Sequence, residues 1–290
     1  MLVKEICLRE FVQDLKCQGH GPATVVKYHR EAAAFAAWLG EKALTAERAA
    51  EYRDRLTACR TTTGANGAVS ALNKFFAFLG RQDCRLRGLP VQRRLCRDEG
   101  RELTQGEYKR LLTAARRRKR ERLLLAMEAI CATGIRVSEL RFFTVEAVKV
   151  GKAVVTNKGK TREVYLPGKL CRRLREYAKA HGVISGPVLV TRGGQPLDRS
   201  NLWREMKALC REARVAAGKV FPHNLRHLFA RTFYKAERDL ARLADILGHA
   251  SVDTTRIYTL ETGLTWRRKH SIAYRNREMW ISACSVISGV

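Results

Sequence analysis

Apolar residues in the first eighty positions return every three or four places. Val25, Tyr28, Ala32, Phe35 and Leu39 mark one face of a helix, and Val69, Leu72, Phe75, Phe76 and Leu79 mark another, which Gly80 stops. Leu8, Phe11 and Leu15 predict a further helix at the start of the chain. Thr45, ahead of Ala46, Glu47 and Arg48, opens one over 45–58. Four short helices predict a small bundle over residues 1–82.

The periodicity then lapses. The stretch 81–101 (RQDCRLRGLPVQRRLCRDEGR) carries Gly88, Pro90, Gly100 and seven arginines against three acids. Residues 83–101 are therefore expected to form a basic linker, a strap lying against a phosphate backbone. A second domain, expected over 102–264, starts at Thr104 and Glu107, which have the spacing of a capping box. Helices are predicted at 105–115 and 121–132. Val145–Val150, Ala153–Thr156 and Glu163–Leu166 are short β-rich pieces joined by Gly151 and by Asn157-Lys158-Gly159-Lys160, which predicts a three-stranded meander with a basic hairpin tip. Helices return at 170–181, 198–217, 223–235, 238–247 and 252–258, and a tail over 265–290 follows. The fold class expected is mainly α with a small antiparallel β-meander, an α+β arrangement in two domains.

Charge narrows the function. The 290 residues carry 56 Lys and Arg against 28 Asp and Glu, a formal net charge of +28. Such an excess repels itself on folding and points to a polyanionic partner, nucleic acid first, with an anionic membrane or a ribosome-like assembly behind it. The first residues mix acids and bases within ten positions, unlike an apolar signal segment, and no stretch reaches eighteen uncharged apolar residues. The nine cysteines include no pair within four residues, so no zinc-ribbon spacing exists, and free or buried thiols in a reducing, cytoplasmic setting are expected.

Three clusters carry candidate chemistry. In Gly134-Ile135-Arg136-Val137-Ser138-Glu139-Leu140, the arginine follows a helix-ending glycine and is pinned at a turn, with Glu139 three residues on to hold it. In Pro222-His223-Asn224-Leu225-Arg226-His227, the two histidines and the arginine share one helix face. The His spacing imitates a zinc-binding HExxH pair. Asn224 stands where the glutamate would be, however, and Arg226 would place a cation beside the metal. An imidazole and a guanidinium on one face form a phosphate receptor instead. The third cluster is Leu247-Gly248-His249, followed by Thr254-Thr255-Arg256-Ile257-Tyr258.

Together, and in this order, G-x-R-x-x-E-L, a basic hairpin, H-x-L-R-H, L-G-H and T-T-x-I-Y resemble the tyrosine recombinase or phage integrase family, in particular its Xer-like and transposon-integrase branch. The resemblance covers residues 104–259 well and the helical first domain more loosely. It implies a DNA clamp made of a helical core-binding domain and a catalytic domain. It further implies that Arg136 and Arg226 hold the non-bridging oxygens of the scissile phosphate, that Lys158 protonates the leaving 5′ oxygen, and that His223 serves as general base or hydrogen-bond donor. His249 would position the phosphate, and Tyr258 would attack to form a 3′-phosphotyrosyl bond. Lys160 is a rival to Lys158, because the family usually has a spacer between two such lysines. Tyr165 stands where the family tends to have proline.

No cofactor and no metal are expected, since two pinned arginines can meet the charge that many nucleases meet with metal ions. No GxxxxGK[ST] or GxGxxG element is present. The implied partners are double-stranded recombination sites, three further copies of the chain on synapsed DNA, and accessory directionality or DNA-bending proteins. A protomer-docking role for Ile272, Met279, Trp280 and Ile281 in the tail is also implied. A type IB topoisomerase-like relaxase and a catalytically silent DNA-binding protein on the same fold are the alternatives.

Overall fold

In the computed structural model, which describes residues 5–91 and 99–259 apart from Lys158, Arg192 and Ala250, the early helical periodicity becomes four helices. They are α1 (Glu5–Cys17), α2 (Pro22–Leu39), α3 (Ala46–Cys59) and α4 (Thr62–Phe78). Local chemistry sets their ends. Thr45 and Thr61 are N-caps whose hydroxyls accept from the amides of Arg48 and Gly64. Pro22 occupies the first turn of α2, where its missing N–H is not needed. The apolar stripes face inward, so that Phe11, Leu15, Val25, Ala32, Phe35, Leu39, Val69, Leu72, Phe75 and Phe76 share one core.

The chain divides into two compact units, Met1–Arg93 and Arg94–Val290. The first part of the expected linker belongs to the first unit. After a 3-10 turn at Gln82–Cys84 the backbone runs along α4, where the Asn73 side chain bonds both the amide and the carbonyl of Leu86, each at 2.8 Å. Asn66 does the same for Leu89, at 2.7 and 2.9 Å. Cys84 and Leu86 are buried against the helical core. The remainder of the expected strap, 92–98, lies outside the described residues, as does the tail with Ile272, Met279, Trp280 and Ile281.

The second unit opens on α5 (Gln105–Arg117), and both bonds of its capping box form: the Thr104 hydroxyl accepts from the Glu107 amide, and the Glu107 carboxylate accepts from the Thr104 amide. Helix α6 (Glu121–Thr133) follows and ends at Gly134 in the left-handed region, φ 67°. A 3-10 turn, Val137–Phe142, leads to α7 (Val145–Val150). Strands β1 (Lys152–Asn157) and β2 (Lys160–Tyr165) pair antiparallel, with Val155 opposite Arg162 and Ala153 opposite Val164. Helices α8 (Gly168–Ala180), α9 (Arg199–Lys207), α10 (Cys210–Ala213), α11 (Pro222–Glu237), α12 (Leu240–Leu247) and α13 (Val252–Thr255) complete the unit, with a final 3-10 turn at Arg256–Tyr258.

Two expectations need correction. Val145–Val150 is a helix, so among the described residues the sheet has two strands and not three. Three valines in six residues favour a strand, but that preference is weak and context decides it. Here the Thr144 hydroxyl caps the Ala147 amide, Val145 and Val148 bury one helical face, and Gly151 at φ 79° closes the turn. The helix expected over 198–217 is broken after Lys207: the Leu209 amide bonds back only three residues to Met206, and Arg214 turns left-handed at φ 51°.

Gly134 occupies a position that excludes a side chain on two counts. Its φ is positive, and a Cβ there would lie 2.4 Å from the Phe229 ring and 3.0 Å from Leu247. Gly134→Ala is expected to destabilise the second unit by on the order of 3 kcal/mol, combining backbone strain with overpacking. Chemical denaturation of the full chain measures this. Phe229→Ala in the same background should recover part of the loss, and an unchanged midpoint for Gly134→Ala would show that the close packing is dispensable.

Candidate active site

The buried guanidinium of Arg226 is the centre of the site. It lies one turn into α11 and is 1% exposed, the largest fully buried side chain among the described residues. Its Nη1 donates to the Gly134 carbonyl at 2.6 Å, and its Nη2 donates to the Leu247 carbonyl at 2.7 Å. These acceptors are the C-terminal ends of α6 and α12, where unpaired carbonyls concentrate partial negative charge. A buried cation is thus matched to two helix ends. Burial, and then the neighbouring Arg136, push its pKa down to about 10, which still leaves it charged at neutral pH. The buried Nε has no hydrogen-bond partner among the described residues.

Arg136 stands at the turn after Gly134, as the sequence predicts. The Glu139 carboxylate accepts from the Arg136 amide at 2.8 Å and from its Nη1 at 3.0 Å, while about a third of the side chain stays exposed. Glu139 itself is buried. Burial alone would raise its pKa, but hydrogen bonds from Arg162 and the Arg136 amide hold it at about 2.

His249 follows Gly248 at the end of α12 and lies 3.1 Å from Arg226 through Nε2 and 2.8 Å from the Thr255 hydroxyl through Nδ1. A guanidinium only donates, so Nε2 accepts and Nδ1 carries the proton toward Thr255. Burial, then Arg226 and Arg136, lower its pKa to about 4. His223 is more open to solvent, and desolvation together with Arg226, Arg136 and Arg199 lowers its pKa as well.

Tyr258 closes the constellation. Its ring packs with Ala230, Leu243 and Leu247 and is 6% exposed. Burial raises the phenol pKa, and Arg226, Arg231 and Arg136 oppose that rise. Five of the six expected site residues, Arg136, His223, Arg226, His249 and Tyr258, therefore gather in one basic pocket. Lys158 lies outside the described residues, and its rival Lys160 is exposed at the start of β2.

Two residues of this pocket were given no role from the sequence. His227 stands between His223 and Tyr258, with ring centroids at 4.4 and 5.2 Å and both contacts edge-to-face. Burial, then His223 and Arg231, drive its pKa down to about 3, so it is a neutral spacer. Arg162 meets the Glu139 carboxylate in a two-pronged contact, at 3.1 and 2.8 Å. The signal for it was available. In Lys160–Leu166 the inward-facing positions are 162, 164 and 166, so alternation alone puts an arginine on the buried face, where it needs an acid. Among the described residues no three His, Cys, Asp or Glu side chains come together as metal ligands.

Comparison with known proteins agrees with this geometry. Residues 101–262 match the model of the phage integrase family. The tyrosine recombinase XerA of Thermococcus kodakarensis is 30% identical over 264 residues, covering 88% of this chain and 90% of the relative. The tyrosine recombinase XerC of Roseiflexus castenholzii is 31% identical over 211 residues, 66% of each chain. Among solved structures, a lambda integrase (75–356) dimer bound to a COC′ core site shares the fold with a TM-score of 0.72 at 19% identity, covering 90% of this chain and 96% of that one. The integrase of transposon Tn1549 does so with a TM-score of 0.68 at 14% identity, covering 91% and 98%. On this combined ground, the chain belongs to the phage integrase family, the tyrosine recombinases.

Proposed function

We propose that this recombinase cuts and rejoins DNA at specific sites, with Tyr258 as nucleophile and Arg136, Arg226, His223, His249 and a hairpin lysine around the phosphate. One observation carries the reading: the Arg226 guanidinium is buried beside Tyr258, charged, and among the described residues has no partner at Nε. A buried donor without a partner is costly, and a phosphate oxygen would satisfy it. The Tyr258 oxygen attacks phosphorus, the bond to the 5′ oxygen breaks, and the phenolic proton passes to a neutral imidazole, the role proposed for His223, whose pKa is lowered by burial and by Arg226. Lys158, or Lys160, returns a proton to the departing 5′ oxygen. Arg136 and Arg226 meet the charge that grows on the equatorial oxygens, the role metal ions fill elsewhere. Because the phosphotyrosyl bond retains the energy of the cleaved diester, a 5′ hydroxyl from another strand can reverse the step without ATP.

The partner is double-stranded DNA, which suits the +28 net charge. Lambda integrase has been solved as a tetramer bound to a Holliday junction, and XerH bound to its difH substrate. Four copies of this chain on two synapsed sites is the corresponding assembly, and the relatives' recombinase names favour strand exchange over simple relaxation. Accessory directionality or bending proteins would act on that assembly. No helix among the described residues is long and apolar enough to cross a membrane. The proposed place of action is the cytoplasm, on the DNA.

A nicked suicide duplex tests the nucleophile. The parent chain should accumulate a covalent protein–DNA adduct, whereas Tyr258→Phe should bind the duplex and form none. Adduct formation by the phenylalanine variant would remove Tyr258 from the reaction.

The imidazole pKa values give a second test. His223 lies below its ordinary value of 6.5 and is an unprotonated acceptor at neutral pH. Single-turnover cleavage should therefore hold level from pH 8 to pH 7 and fall below about 6.5, as protonation takes the acceptor away. His249 at about 4 and His227 at about 3 titrate below the unfolded value of 6.5. The unfolded chain thus takes up protons first, and stability present above pH 6.5 is lost as the pH falls toward 4. Melting measured in parallel should show that decline. A cleavage rate that climbs toward pH 6 would overturn the general-base assignment.

A further inference from the structure

Arg162 is bonded to two parts of the site and packs against a third. It sits on β2, two residues past Lys160 and four past Lys158, and both strands of its hairpin reach Glu139. The guanidinium takes the two Glu139 oxygens at 3.1 and 2.8 Å, and Asn157 at the end of β1 donates to Glu139 Oε1 at 3.2 Å. Its Nε donates to the Ile246 carbonyl at 3.2 Å, and its stem lies against Gly248, whose added Cβ would meet it at 3.0 Å. Glu139 in turn holds the Arg136 turn, and Gly248 precedes His249. The side chain is 15% exposed, so it is a tie inside the fold and not a surface contact for DNA.

The sequence Lys158-Gly159-Lys160 carries two lysines, and the strands that flank it seat Ala153, Val155 and Val164 in the helical core. Those apolar contacts seat the hairpin on the core, and backbone pairing sets the register between β1 and β2. The Arg162–Glu139 fork adds a directional tie to the Arg136 turn, because a planar guanidinium meeting a carboxylate through two bonds fixes orientation as well as distance. The carboxylate is buried, so the contact is poorly screened by water and salt.

We propose that Arg162 is a positioning residue for strand cleavage: through Glu139 and the Ile246 carbonyl it holds the lysine-bearing hairpin against the arginine pocket, so that the leaving 5′ oxygen is protonated where the bond breaks. The inference rests on the reading that a hairpin lysine is the general acid. Loss of the tie displaces the lysine, and a displacement of about 1 Å in a catalytic group costs roughly 100-fold.

A scissile phosphate with sulfur in place of the bridging 5′ oxygen tests the idea, because a thiolate leaves without needing a proton. Adduct formation is measured on oxygen and sulfur suicide duplexes for the parent chain, Arg162→Gln, Arg162→Lys, Lys158→Ala and Lys160→Ala. Arg162→Gln should be slowed by roughly 100-fold on oxygen and return to within a few-fold of the parent on sulfur. Arg162→Lys, which keeps the charge and loses the fork, should show the same pattern more mildly. Near-parental cleavage of the sulfur duplex is itself proof of a folded pocket, and the milder variant serves if Arg162→Gln does not fold. If one lysine variant is rescued by sulfur and neither Arg162 variant is, the positioning role is overturned while the general-acid reading stands. If no lysine variant is rescued, the general-acid reading falls and takes the proposal with it.

Discussion

A cation with almost no access to water has to be matched from within, and around Arg226 this is done by the ends of helices. Gly134 and Leu247 terminate α6 and α12, and the carbonyls they present are those that a helix leaves without amide partners. The match fixes three elements relative to one another: α11 supplies the guanidinium, and the two helix ends supply its acceptors. The Arg136 turn begins directly after one of those ends and His249 stands just beyond the other. Most of the pocket is thus a consequence of how one buried charge is satisfied.

The same charge explains the state of the histidines. Three imidazoles beside two guanidiniums would add to an already large positive field if protonated, and partial burial makes this costlier still. All three are shifted toward the neutral form. A neutral ring can accept a proton or a hydrogen bond from arginine, as His249 does from Arg226 through Nε2. The cationic work is left to residues that remain protonated under any relevant condition, and Glu139 keeps a negative charge among them because two arginines share it.

Much of this was legible in the sequence, and the parts that were not have specific reasons. The helices of both units follow from apolar spacing and from caps such as Thr45 and Thr104, whose side chains bond the expected amides. The order of the arginine, histidine and tyrosine clusters was enough to expect the pocket. Val145–Val150 misled because residue preference favoured a strand while Thr144 and Gly151, the residues on either side, enforced a helical turn. The break after Lys207 carries no glycine or proline to announce it; it arises from the packing of Leu209 and Val215 into the core. Arg162 falls between the expected basic tip, 157–160, and the expected β piece, 163–166, although strand alternation places it inward. The double clasp of Asn66 and Asn73 on Leu86 and Leu89 depends on two asparagines seven residues apart on α4, and nothing in the local pattern of 81–91 reveals it.

Because the oxygens that hold Arg226 belong to the main chain, substitution at position 247 can change the side chain there without deleting the acceptor. Only a change in backbone path would remove it, and Gly134 guards that path on the other side. A binding centre built in this way tolerates extensive drift of its surroundings provided that the helices keep ending in the same places. The lambda integrase structure, which matches at a TM-score of 0.72 with 19% of residues in common, shows how far sequence can diverge while the fold persists.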